Sequence, residues 1–329
     1  MGRTSPRARA LAGITVASVA FVILCAITYN RIDEDAYIYF RVAEHIASGQ
    51  GYVFNVGDPP TETGSSPLWQ LALAAGALLP IELATQAKIA GIVLGIGCLL
   101  LLHGLTATTV SDPWLRAVPS LLLAVQGTFV HWVQSGMETA LCTFLLLWYA
   151  KWMLEAPSGR RWIVPAALLA VARPESPVLL LGALTLLTSR DGRKEWKRWV
   201  AGAGVVGLVL VATVALRLLT FGDLVAHPFY LKAGSRSPLW VAHRALVDGR
   251  VYLLMLPVAA AFFVPRYWSR ERRFLLATGA IAMAWGLLVP DGLKPYFRHF
   301  VPALPFVFWA SADSVAFWLG MASRPRLRA

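Results

Sequence analysis

Ala10 to Thr28 is a long apolar stretch, and it is the first of many in this chain. At roughly 1.5 Å per helical residue, a stretch of this length reaches across the hydrocarbon core of a bilayer. Further apolar segments fall at roughly 67–80, 88–105, 117–133, 138–154, 162–172, 176–188, 199–220, 249–265, 274–290 and 300–320. Soluble domains are usually near 45–50% apolar and about 25% charged. The 329 residues here are 57% hydrophobic and 15% charged. The expected fold class is therefore an all-α polytopic membrane protein. Trp114, Trp132, Trp162, Trp199, Trp240 and Trp268 lie at segment ends, where interfacial anchoring is expected. Cys25, Cys98 and Cys142 lie inside apolar segments without metal-ligand spacing and read as small buried hydrophobes.

Arg3, Arg7 and Arg9 precede the first apolar stretch. That stretch is long, and Ile27-Thr28-Tyr29-Asn30 makes a poor small-residue cleavage site, so a retained first helix is expected, with its N-terminus cytoplasmic. Basic clusters set the remaining sidedness. Arg160-Arg161, the run Arg190 to Arg198, Arg266 to Arg273, and Arg324 to Arg328 should all be cytoplasmic. Working back from them, Ser135-Gly136-Met137-Glu138 is outside, as is the first loop. Three apolar segments lie between these two outer points, so one of them does not cross. The 67–80 segment is below the roughly 17 residues a span needs and is expected as an in-plane or re-entrant helix on the outer side. The short segments 162–172 and 176–188 are joined by Ala172-Arg173-Pro174-Glu175, where Pro174 breaks the helix. They are expected to form a pair reaching from the cytoplasm to a turn sunk below the outer surface. The sum is about ten membrane helices with both termini cytoplasmic. A single transmembrane domain over 1–329 is expected. Its first external loop, 29–87, carries short in-plane helices, and no separate soluble C-terminal domain is expected. The formal charge of +12 is on this map mostly a topology signal, and nucleic acid is not an expected partner.

The loop after the first apolar stretch opens on Asp33-Glu34-Asp35, the most acidic point of a basic chain. Adjacent carboxylates repel, so at least one should have a raised pKa unless a cation or metal is near. Such a group suits a general base taking a proton from an acceptor hydroxyl. The alternative is a solvated helix N-terminus, where acids favour the dipole. Residues Tyr37 to Ala47 have the spacing of a short amphipathic helix, with Ala36, Phe40, Ala43 and Ala47 on one face. Four further charged groups fall on the same side: Glu138, Arg173 with Glu175, the loop 222–248 with Tyr230 and Lys232, and Asp291 to His299. Ionisable groups at a membrane edge are functional candidates by default. Arg173 has two readings, an internal ion pair with Glu175 or phosphate binding by its guanidinium fork. Tyr230 and Lys232 could hold an anionic headgroup, or Lys232 could be an ordinary snorkelling residue. Arg298 and His299 head an apolar segment on the side that the positive-inside rule disfavours for Arg, which favours a specific anion partner there.

Taken in order, these residues resemble a known superfamily. Glu34-Asp35-Ala36-Tyr37-Ile38, then Gly49-Gln50-Gly51-Tyr52-Val53-Phe54-Asn55, then Ser65-Ser66-Pro67-Leu68-Trp69, are similar to the first external loop of the GT-C membrane glycosyltransferases. The likeness is nearest to the actinobacterial arabinofuranosyltransferases that use decaprenyl-phosphoryl arabinose. It continues at Ser135 to Thr139, at Ala172 to Glu175, from Phe221-Gly222-Asp223 through Tyr230 and Lys232, and at Asp291 with Arg298 to Pro302. Three departures stand out. The first acidic position, usually Asp, is Glu34 with Asp33 before it. Leu224-Val225-Ala226-His227-Pro228 replaces the usual Pro-Asn-containing version. The chain stops at Ala329, whereas many members carry a large extracytoplasmic C-terminal domain.

The resemblance implies a GT-C-type helix bundle in the bacterial cytoplasmic membrane, with an active site facing the extracytoplasmic side. It implies a polyprenyl-phosphate sugar donor, a glycan or lipid acceptor, and transfer with inversion. By the same resemblance Asp35 or Glu34 is the base. Arg173, Lys232 and Arg298 match its arginine and lysine motifs and would hold the donor phosphate. From their own chemistry, His299 is expected to hydrogen-bond that phosphate, and Asp33, Glu138, Glu175, Tyr230 and Asp291 to orient substrate or the cationic groups. Carboxylate clusters in some membrane glycosyltransferases bind a divalent cation, and the sequence leaves that open here. Two other classes use similar features: a transporter or flippase for a lipid-linked or anionic solute, and a non-catalytic membrane subunit of the same fold.

Overall fold

The computed structural model describes residues 5–155, 159–173, 176–188, 196–224, 226, 264, 267–288 and 298–320. In chain order the α-helices are α1 (Pro6–Ile27), α2 (Glu34–Ala47), α3 (Pro67–Gly76), α4 (Leu83–Thr106), α5 (Pro113–Val125), α6 (Gly127–Gln134), α7 (Thr139–Glu155), α8 (Ile163–Ala172), α9 (Pro177–Leu180), α10 (Trp196–Phe221), α11 (Arg270–Leu288) and α12 (Leu304–Trp318). A 3-10 stretch, Leu181–Thr188, continues α9, and another, Arg298–Ala303, leads into α12.

Three of these helices start on the same sequence device, a capping side chain followed by proline. Ser5 accepts the Ala8 N–H ahead of α1, and Ser66 accepts the Trp69 N–H ahead of α3. Asp112 accepts from both Trp114 and Leu115 ahead of α5, at 3.0 and 2.9 Å. Each cap satisfies donors that the first helical turn leaves orphaned, and proline loses nothing there because its missing N–H would be unbonded anyway.

Among the described residues four helical runs are long and apolar enough to cross a membrane: Pro6–Ile27, Leu83–Thr106, Trp196–Phe221 and Arg298–Trp318. Pro113–Val125, Ile163–Ala172 and Pro177–Leu186 are shorter apolar helices. These lengths and compositions are those of a multi-pass membrane protein. The segment expected at 249–265 lies almost wholly outside the described residues.

α1 packs on α5 and α4, α4 on α7, and α7 on α8, while α10 lies against α8. α11 packs against the 3-10 stretch after α9, and α12 against α5 and α11. One continuous apolar core joins Phe21, Leu99, Phe129, Leu146, Leu169, Phe274 and Phe306. Gly91 makes one of the close approaches, because a Cβ there would overlap the Val133 carbonyl oxygen of α6.

Some expectations change in the folded chain. The segment read as one apolar run over 117–133 is two helices, because Gln126 takes an extended conformation (φ −73°, ψ 112°) between α5 and α6. The 67–80 segment is the ten-residue α3, about 15 Å long and half of what a span requires. The expected break near Pro174 is present: α8 ends at Ala172, and Arg173 is extended (φ −153°, ψ 123°), as the residue before proline prefers. The Trp residues are the plainest correction. Trp114 is exposed and Trp268 half-buried, and Trp240 lies outside the described residues, but Trp132, Trp162 and Trp199 are buried in the bundle, where large aromatic area packs against other helices rather than anchoring an interface. Cys25, Cys98 and Cys142 are buried, as their apolar surroundings suggest.

Candidate functional site at one end of the bundle

The acidic motif starts helix α2. Asp33 is its N-cap, with Oδ1 accepting the Asp35 N–H at 3.0 Å, and Glu34 and Asp35 occupy the first turn. Carboxylates are stabilised there by the helix dipole. The helix begins at Glu34, three residues before the expected start, and buries Ala36, Tyr39, Phe40, Val42 and Ala43. Glu34 is exposed, and Asp33 and Asp35 are half-buried.

Hydrogen bonds fix this helix start against the turn before α7. The Asp33 N–H donates to the Ser135 carbonyl at 3.0 Å. Gly136 follows with φ +81°, and a Cβ on it would lie 2.8 Å from the Ala36 Cβ. Its carbonyl accepts the Trp69 Nε1–H of α3 at 2.9 Å. Tyr39 of α2 accepts the Ser66 N–H on its hydroxyl (3.1 Å), and its carbonyl accepts from the Gln70 amide (2.9 Å). The starts of α2 and α3 and the 135–138 turn therefore form one frame.

Glu138 ends that turn, is fully buried, and gathers cations from two distant parts of the chain. Arg173, at the end of α8, places Nε 2.9 Å and Nη2 2.8 Å from Glu138 Oε1. Arg298, at the head of the 3-10 stretch before α12, donates from Nη2 to the same oxygen and from Nε to Thr139 Oγ1 at 3.2 Å. Arg173 Nη1 lies 2.7 Å from His299 Nδ1. The Arg298 guanidinium also stands over the Trp132 ring, 5.5 Å from its centroid, a cation–π placement. Burial alone would push the Glu138 carboxyl up, but the Arg298 and Arg173 guanidiniums outweigh it and bring the group down to about 2. Among the described residues Glu138 Oε2 has no hydrogen-bond partner. Arg173, Arg298 and His299 also line a small cleft with Thr139, Cys142 and Trp285.

The described residues thus bring together Arg173, Arg298, His299 and Glu138, and they set Asp33, Glu34 and Asp35 beside the same turn. Glu175, Tyr230, Lys232 and Asp291 lie outside the described residues. A carboxylate partner of Arg173 is Glu138, 35 residues earlier; the expected pairing with Glu175 falls outside the described residues. Among the described residues no group of three or more His, Cys, Asp or Glu side chains could hold a metal ion.

Two buried ion pairs were not anticipated. Glu62 and Arg217 pair through both carboxylate oxygens, with each side chain about 3% exposed. Arg272 pairs with Asp313 at 2.7 and 3.0 Å and stands over Tyr267 and Phe317. Arg272 belongs to the basic cluster expected to be cytoplasmic, and its charge is paired with Asp313 of α12. The second pair belongs to the opposite end of the bundle, where Arg270 reaches the Met153 and Leu154 carbonyls closing α7. A charge inside an apolar helix is the one available sequence signal for such pairs, and it does not name the partner.

No protein-family model matches the sequence, and no curated protein matches it. The fold does match solved structures. ArnT from Cupriavidus metallidurans, crystallised with undecaprenyl phosphate bound, superposes with a TM-score of 0.66 at 13% identity, covering 93% of this chain and 59% of that one. Its apo crystal structure gives 0.61 at 13% identity, covering 94% and 61%. This chain has the ArnT-like fold and spans less than two thirds of the length of ArnT.

Proposed function

We propose that this chain is a GT-C membrane glycosyltransferase that moves a sugar, arabinofuranose or another pentose or hexose, from a polyprenyl-phosphate donor to a cell-envelope glycan or lipid acceptor. The observation that carries the proposal is the meeting of Arg173, Arg298 and His299 around Glu138, on the turn that also holds the acidic start of α2. A phosphate leaving group needs cations, and an attacking hydroxyl needs a base. Both occur here at one end of a bundle whose fold is that of a protein crystallised with undecaprenyl phosphate.

In the proposed reaction Asp35 or Glu34 takes the acceptor hydroxyl proton. Asp33 already accepts the Asp35 N–H as a helix cap, which favours the other two for this role. The acceptor oxygen forms a bond to the anomeric carbon from the face opposite the phosphate. The bond from that carbon to the phosphate oxygen breaks, and its electron pair leaves with the lipid phosphate. Arg173 and Arg298, with Lys232, stabilise the developing charge electrostatically, and His299 hydrogen-bonds it. Glu138, with Oε1 committed to both arginines, orients the cationic groups. The active end faces the extracytoplasmic side, because nucleotide sugars are cytoplasmic whereas a lipid carrier can present its sugar at the outer face.

The test is sugar transfer by purified full-length protein from a radiolabelled polyprenyl-phosphate sugar to a glycan acceptor. Transfer by the wild type, and its loss in Glu34→Gln/Asp35→Asn, are the expected results. Movement of the donor across liposomes without transfer from any donor would replace this reading with a flippase.

A further inference from the structure

The first external loop crosses back over α2 and then meets α10, and Glu62 and Arg217 make that junction. α10 carries Lys197 and Arg198 in its first turn and no other charge until Arg217, one turn before its end. Arg217 Nη2 donates to Glu62 Oε1 at 2.9 Å, and Nε donates to Oε2, in the two-pronged geometry that suits guanidinium and carboxylate. The Tyr52 ring meets the Phe221 ring edge-on at 5.0 Å beside the pair. The same loop is bound along α2. Arg41 Nε donates to the Phe54 carbonyl at 2.8 Å and Nη2 to Asn55 Oδ1 at 2.9 Å. His45 Nδ1 lies 2.9 Å from the Val53 carbonyl. The Ser66 N–H donates to the Tyr39 hydroxyl.

We infer that Glu62 and Arg217 are positioning residues: together they latch the 52–66 loop to α10 and through it hold α2, with Glu34 and Asp35, in register with the arginine cluster. The physical reason is the cost of the alternative. With the loop lifted, Glu62 leaves with it and the Arg217 guanidinium loses its only carboxylate among the described residues while it stays on an apolar helix end, which is the costly outcome. The latch therefore has one strongly preferred closed state. Neither residue belongs to the Arg173–Glu138–Arg298 cluster, so it acts on the base side of the site and not on the phosphate side. The effect on catalysis rests on the glycosyltransferase reading above; the latch itself does not.

Two measurements on purified full-length protein test this. The first is hydrogen exchange of backbone amides in 41–66 for wild type, Glu62→Gln, Arg217→Gln and the exchanged pair Glu62→Arg/Arg217→Glu. The latch predicts at least tenfold faster exchange in each single variant, with protection at least partly regained in the exchanged pair. Unchanged exchange in both single variants overturns it, whether or not any sugar is transferred. If the exchanged pair does not fold, Glu62→Gln/Arg217→Gln replaces it and should exchange more slowly than either single variant. The second measurement separates kcat from donor binding. Glu62→Gln is expected to lower kcat at least tenfold and leave binding of radiolabelled polyprenyl phosphate within twofold. A fall in donor binding that accounts for the lost rate overturns the assignment to the base side. Absence of transfer by the wild type overturns the glycosyltransferase reading and leaves the exchange result to decide the latch.

Discussion

Arg173 and Arg298, 125 positions apart in the sequence (298 − 173), donate to the same oxygen of Glu138, which is completely buried between them. One carboxylate thus holds two helix ends, α8 and the approach to α12, in a single arrangement.

Removing that carboxylate should be costly. Breaking a buried pair by deleting one partner typically costs about 3–5 kcal/mol, because the remaining charge is left uncompensated. Glu138→Ala leaves two guanidiniums facing each other, so a loss at the upper end of that range is expected in chemical or thermal unfolding of the purified protein. Unchanged stability would mean that the arginines do not depend on Glu138. The pH dependence follows from the same contact. The folded-state carboxyl lies at about 2, below its ordinary 4.5. Its contribution is therefore fully present above about pH 4.5 and is lost as pH falls through about 2. Between pH 5 and 8, taken as roughly the usual range of maximal stability, variation in wild-type stability should persist in Glu138→Gln.

Asp35→Asn and Glu34→Gln should separate the two carboxylates of α2. Loss of a general base costs roughly 10²–10⁴-fold in rate. One variant should show that loss with donor binding unchanged, and the other a smaller effect. Transfer that survives in both single variants and in the double variant would remove the base from this motif.

Gly136→Ala tests the frame itself. The left-handed backbone costs an L-residue roughly 1–2 kcal/mol, and the new methyl would press on Ala36 from 2.8 Å. The substitution should lower stability and displace the start of α2, with transfer falling more than donor binding. Activity and melting temperature equal to wild type would show that the turn accommodates the methyl group.

Arg272 and Asp313 provide a control at the far end of the bundle. Asp313→Ala should destabilise by about 3–5 kcal/mol, whereas Arg272→Met/Asp313→Leu should recover much of it, since apolar replacements of a buried pair are often neutral or better. Donor binding by the double variant should match wild type. A large loss in binding would connect this pair to the site.

The cation–acid arrangement was partly legible in sequence because each group sits at a helix end marked by local chemistry. The acids follow the first apolar stretch, Arg173 precedes a proline, and Arg298 heads an apolar segment. Such signals are short-range, and they identify helix ends that can share one face. The partner is a different matter. Arg173 stands two residues from Glu175 in sequence, yet the described carboxylate against it is Glu138. Glu62 and Arg217 carry no motif that relates a loop residue to the end of a distant span.

The amino-acid sequence by itself determined the all-helical membrane class, the caps that start α1, α3 and α5, the break at Arg173, and the residue types available for proton and phosphate chemistry. These follow from local rules, namely apolar length, capping side chains and proline sterics. Only the tertiary structure decided that Trp132 is core rather than anchor, that Gln126 splits an apolar run, and that Glu138 joins Arg173 to Arg298. It also decided that Asp33 caps, and Glu34 and Asp35 begin, a helix held by Ser135 and Gly136. The physical reason is that burial and ion pairing depend on which helix faces which. That is settled by packing across the whole bundle, where a charge with no water to turn to must take whichever partner the fold delivers.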